Sequence, residues 1–200
     1  MRIRIDLKIL IFLIIFYFTN QLKSYLVIMF FCIIHELGHI IAGLILKMKL
    51  DKIEIMPLGL RVIFQENFNK GNKEIFVALA GPIISLILAF FCTTQEAVYS
   101  NILIALFNLI PIYPLDGARV IKGILNMKFE EMQVENIVNK ISYITIIILT
   151  VICSIGVYYY KNVAIFMICI FLWIMVLQFS KENSKIDVKR KAGIKWQNQP

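Results

Sequence analysis

Residues Phe31 to Leu46 read FCIIHELGHIIAGLIL, and apart from His35, Glu36 and His39 every residue in the run is apolar or glycine. Such a run takes lipid as its natural solvent. A carboxylate near the middle of a bilayer costs at least ~2.5 kcal/mol, and it usually marks a site rather than a scaffold. The stretch therefore settles two matters together: the chain belongs in a membrane, and part of its chemistry lies inside a span.

Composition agrees. The 200-residue chain is 60% hydrophobic and 17% charged, with a mean hydropathy of +0.78. A soluble domain of this length needs more polar surface than that. Apolar segments run at roughly 9–20, 25–46, 75–92, 98–115, 141–160 and 162–179. A span takes about 17–25 residues, so the first is short and the others are long enough. The first follows a basic start, MRIRIDLK, as a secretory signal would, but no small-residue cleavage site follows in TNQLKSY, so it is read as a helix. The expectation is an all-α polytopic membrane protein of about six transmembrane helices in the lipid bilayer.

The net charge of +8 need not imply nucleic acid, because basic residues in membrane proteins collect in cytoplasmic loops. Of 21 lysines and arginines, 19 fall before span one, after spans two and four, or in the tail; only Lys23 and Lys161 fall elsewhere. Both termini are therefore expected in the cytoplasm. Span two then runs inward, and His39, eight residues before Lys47, lies roughly 12 Å above its inner end.

The loop after span two contains KIEIMPLGLRVIF, which alternates up to Pro57, turns at PLG and becomes apolar again. Proline at the second turn position with Gly59 at the fourth suits a type I turn. One reading is a short re-entrant, β-like hairpin whose edge pairs with an extended peptide; the other is an interfacial loop that only packs. Span three carries ALAGPIISL, in which Ala80, Gly81 and Ser85 allow close helix approach and Pro82 bends the span. Cys32, Cys92, Cys153 and Cys169 lie in apolar runs with no CxxC spacing and no disulfide framework, and are read as buried thiols.

The chemistry follows from the spacing. His35 and His39 at i and i+4 share a helix face and can present imidazoles to one metal ion, with Glu36 placed as general base. Zinc would activate water there, provided a third protein ligand completes the site. Span four ends NLIPIYPLDGARV, where Pro111 and Pro114 must open the helix near the inner face. Irregular backbone at that depth is tolerated where protein or a wet cavity surrounds it, which makes Asp116 the best third ligand. Glu131 and Glu135, in a polar stretch with helical spacing, are weaker rivals. The blander readings are histidines serving as interhelical hydrogen-bond donors and Asp116-Gly117 as a simple turn. A different function class, a transporter or ion or proton relay built on the same buried His, Glu and Asp, would be expected to show inverted repeats and paired broken helices, and neither is evident.

Taken together, HELGH, AGPIIS and NLIPIYPLDG resemble the site-2 protease family of intramembrane zinc metalloproteases, most closely its sporulation branch. The resemblance covers residues 25–120 with specific motifs and the whole chain in layout. It implies a zinc-dependent endopeptidase with one zinc per chain held by His35, His39 and Asp116, and Glu36 as the catalytic glutamate. It also implies substrate positioning by Asn108 and by the loop containing Pro57 and Gly59. The implied substrate is a membrane-tethered protein such as a sporulation sigma-factor precursor, with membrane inhibitor or regulator proteins as further partners and no nucleic acid. The implied site is a bacterial cell membrane or forespore outer membrane. Ser85 stands where relatives often have asparagine, and the loop has one glycine where many have a pair. Residues 1–180 are expected to form the six-span domain, with 181–200 a basic cytoplasmic tail too short for the CBS domain some branch members carry.

Overall fold

A computed structural model describes residues 2–5, 8–18, 20–48, 50–56, 59–64, 71–160, 169–170, 172–174 and 176–177. The elements are β1 (Arg2–Ile5), α1 (Lys8–Phe18), α2 (Leu22–Ile45), β2 (Leu50–Met56), β3 (Gly59–Phe64), α3 (Gly71–Phe91), α4 (Gln95–Asn108), α5 (Asp116–Leu125) and α6 (Glu131–Tyr160). Among the described residues, three helices are long and apolar enough to cross a membrane: Leu22–Ile45, Gly71–Phe91 and Glu131–Tyr159. The expected first and fourth spans correspond to shorter helices, α1 with 11 residues and α4 with 14. Most of the expected sixth span lies outside the described residues.

The all-α expectation is modified by a sheet. The chain is mostly helical, but three strands pair in the order β1-β2-β3, with β1 parallel and β3 antiparallel to β2. The β2–β3 hairpin occupies the KIEIMPLGLRVIF segment. Met56 pairs with Gly59, leaving Pro57 and Leu58 between the strands, and these two lie outside the described residues. The short alternation RIRI, read as topogenic charge, forms β1 against Lys52 to Ile55.

Among the described residues, burial suits lipid rather than water. The interior holds His35, His39, Ser85, Asn101, Asp116 and Ser142, while Phe90, Phe91, Ile152 and other large apolar side chains face outward. With lipid outside, large apolar groups gain nothing by hiding, and helices associate through small residues and internal hydrogen bonds. The α2–α3 contact shows this: a Cβ on Gly38 would lie 2.7 Å from Ile84 Cδ1 and 3.1 Å from the Ala80 carbonyl.

The proline-rich segment breaks the helix as expected. Helix α4 stops at Asn108 and α5 starts at Asp116, with a cis peptide at Tyr113–Pro114 between them. Its backbone finds partners in protein rather than lipid: the Tyr113 N–H donates to Ser142 Oγ of α6 at 3.1 Å, and that hydroxyl donates to the Val138 carbonyl at 2.9 Å. Ile112 and Leu115 then pack with Ile146, Leu172 and Val176 in an apolar cluster. Anchoring the break in this way fixes where α5 begins, and hence where Asp116 sits.

Candidate metal centre

Helix α2 brings His35 and His39 to one buried face, each 2% exposed, against α3 and the start of α5. The Nε2 atoms of both imidazoles lie 3.1 Å from the same oxygen, Asp116 Oδ2. Asp116 is itself 5% exposed and occupies the first turn of α5, where the helix dipole favours a carboxylate. Its other oxygen, Oδ1, accepts from Arg119 Nη1 at 3.3 Å, one turn along α5. Among the described residues, His35, His39 and Asp116 form the group able to hold a metal ion; Glu131 and Glu135 at the start of α6 are not part of it.

The second nitrogens are held by α3. His39 Nδ1 lies 2.7 Å from the Val77 carbonyl, and His35 Nδ1 lies 2.9 Å from Ser85 Oγ. A carbonyl only accepts, so His39 Nδ1 must carry the proton, and in the neutral ring Nε2 is a bare lone pair. That lone pair faces a carboxylate oxygen 3.1 Å away, an arrangement that repels unless a proton or a metal ion lies between them. Zinc bonds of about 2.0–2.1 Å in tetrahedral array separate ligand atoms by roughly 3.3 Å, close to the spacing found here. The donor set therefore suits a metal ion, and its hardness and nitrogen content suit zinc.

Val77, Gly81 and Ser85 are spaced at i, i+4 and i+8, so α3 offers a carbonyl, a gap and a hydroxyl along one stripe. Gly81 is the gap: a Cβ there would overlap His39 Nε2 and lie 2.7 Å from His35 Nε2. In sequence, Gly81 and Ser85 read as packing residues within the AGPIIS motif, with Ser85 where relatives often have asparagine, and Arg119 reads as one positive charge among many. The four-residue stripe and the Asp-to-Arg i,i+3 spacing were the available signals. The Val77 contact, being backbone, has none.

Glu36 is half-buried beside His35, and its carboxylate interacts electrostatically with His39, Asp116 and Arg119. Asn108 ends α4 with its Nδ2 donating to the Ile104 carbonyl at 2.9 Å. Gly59 opens β3, and Pro57 lies outside the described residues. All four cysteines are free thiols, and none joins the metal-binding group.

The model for peptidase family M50 matches residues 24–100 and 93–149, which is more than half the chain and includes every member of this group. The chain belongs to peptidase family M50. Stage IV sporulation protein FB of Bacillus subtilis is 29% identical to this M50 chain over 116 residues, 52% of this chain and 40% of that protein. A zinc metalloprotease of Methanocaldococcus jannaschii is 28% identical over 112 residues, 48% of this chain and 32% of that protein. Less than half the length of either relative is thus matched. The solved site-2 protease from Methanocaldococcus jannaschii shares the fold, with a TM-score of 0.65 at 21% identity, covering 89% of this chain and 90% of that one. With its three long apolar helices, this M50 chain is an integral membrane protein.

Proposed function

We propose that this chain is a zinc-dependent intramembrane endopeptidase that cleaves a membrane-tethered protein. The observation that carries the reading is the convergence of two imidazole nitrogens on one carboxylate oxygen inside apolar helices. His35, His39 and Asp116 would hold one zinc ion per chain. When bound, the ion supplies Lewis-acid polarisation of a peptide carbonyl and activation of water. Glu36 takes the proton of the attacking water and returns it to the leaving amine, the work of a positioned general base and acid. Asn108, at the end of α4, holds the substrate backbone, a role implied by the family resemblance. A substrate helix in lipid has its peptide groups paired, so it must unwind before cleavage. Pro57 and Gly59 position the hairpin whose edge gives the unwound backbone new partners.

The wider reading rests on the charge distribution and the family resemblance. Six spans make up residues 1–180 around a catalytic core at 25–120, both termini are cytoplasmic, and 181–200 is a basic tail. Cleavage then falls near the cytoplasmic face. The substrate suggested by the sporulation relative is a membrane-tethered sigma-factor precursor, with membrane proteins as restraining partners.

The test is co-expression with candidate membrane-tethered precursors, beside a Glu36→Gln control. The native chain is expected to release a shortened product while Glu36→Gln keeps its zinc and releases none. Cleavage by Glu36→Gln at the native rate would overturn the mechanism. A His35→Ala, His39→Ala double variant is expected to lose the zinc altogether.

A further inference from the structure

The two oxygens of Asp116 are not equivalent. Oδ2 faces both histidine Nε2 atoms at 3.1 Å, whereas Oδ1 is engaged by Arg119 Nη1 at 3.3 Å. A carboxylate with both oxygens free can take a metal ion through either or both, and a two-oxygen grip would fill the position that water or substrate needs. The contact is largely shielded from water, with the Asp116 side chain 7% and the Arg119 side chain 23% exposed, so it is weakly screened. The backbone behind it is closely packed as well. Helix α5 is pressed on α3 where a Cβ on Gly71 would overlap the Gly123 carbonyl, and Asn126 Nδ2 donates to Glu74 Oε2 at 3.2 Å across the same contact.

We infer that Arg119 is a positioning residue that holds Asp116 as a one-oxygen ligand and so keeps a coordination position of the metal free. The inference rests on the proposed metal site. A single guanidinium nitrogen makes the contact, so Arg119 acts here as a cation rather than as a two-pronged fork. A lysine that reaches the same oxygen should therefore replace it, which is not so at bidentate sites.

The experiment uses the full chain purified in detergent and loaded with Co2+, whose visible absorption is intense in four-coordinate sites and weak at higher coordination. Zinc affinity is measured in parallel by chelator competition. Arg119→Ala is expected to weaken zinc binding by about 10–100-fold, the usual effect of losing a partner behind a metal ligand. Its Co2+ bands should also fade as Asp116 turns to bind through two oxygens. Arg119→Lys should restore the native bands, which a purely structural role for the arginine would not predict. Native affinity and native bands in Arg119→Ala would overturn the inference, and so would a Lys variant as altered as the Ala variant. Asp116→Ala separates this from the underlying reading. If Asp116→Ala loses the metal and Arg119→Ala does not, only the positioning role fails; if Asp116→Ala still binds metal, the site itself is wrongly assigned.

Discussion

Gly81 shapes the site by having no side chain. A methyl group there would meet both imidazoles at the nitrogens that face Asp116. Gly81→Ala must therefore push α3 away or turn the histidines, a strain of about 1–3 kcal/mol by analogy with overpacked cores. Zinc content per chain should fall well below that of the native protein, and the detergent-solubilised variant should unfold at lower temperature. Full zinc occupancy in Gly81→Ala would contradict the placement. Substitution at Val77 by another β-branched residue should leave metal binding intact, because its contribution to His39 is a main-chain carbonyl. What could be read in advance at this scale follows the same division. HELGH announces itself because three polar groups in a lipid-soluble run demand a reason. Asp116 follows because prolines force an opening beside it. Gly81 and Ser85 are ambiguous in sequence, since small residues in a span serve packing as readily as they serve a site. Arg119 was hidden among the basic residues that orient the chain.

Between α4 and α5, the break works because a distant element completes it. Pro111 and Pro114 make the interruption legible, yet the group that satisfies the Tyr113 N–H is Ser142, on α6. Ser142→Ala removes the hydroxyl that accepts from this part-buried N–H, a loss of about 0.5–1.5 kcal/mol. A lower unfolding temperature is expected, with weaker zinc binding because the start of α5 carries Asp116. An unchanged melting profile would mean the segment is held by its apolar cluster alone. A hairpin is one of the two readings that the alternation and turn residues of 52–64 allow, and β2 and β3 pair there. Strand β1 was not legible, because four residues are too few for a periodic signal and its partner lies about fifty residues away. Pairings of that range leave no local trace.

Among the described residues, burial suits lipid: polar side chains such as His35, His39, Asn101 and Asp116 are buried while many large apolar ones face outward. The proposed orientation can be checked with single cysteines in a background lacking the four native ones. A cysteine at Lys23 should react with an impermeant thiol reagent added outside the cell, and one at Lys128 only after permeabilisation. The reverse pattern would invert the proposed topology. The pairing of β1 with β2 fits that topology by parity. The proposed topology puts these hydrogen-bonded strands on one side of the bilayer, which requires an even number of crossings between Ile5 and Leu50. In the proposed topology α2 is one crossing and the stretch ahead of it, with the 11 residues of α1, is the other. Removing the first five residues would therefore release more than a strand. In that topology it would also remove the pairing that ties the chain ahead of α2 to the strand that follows it.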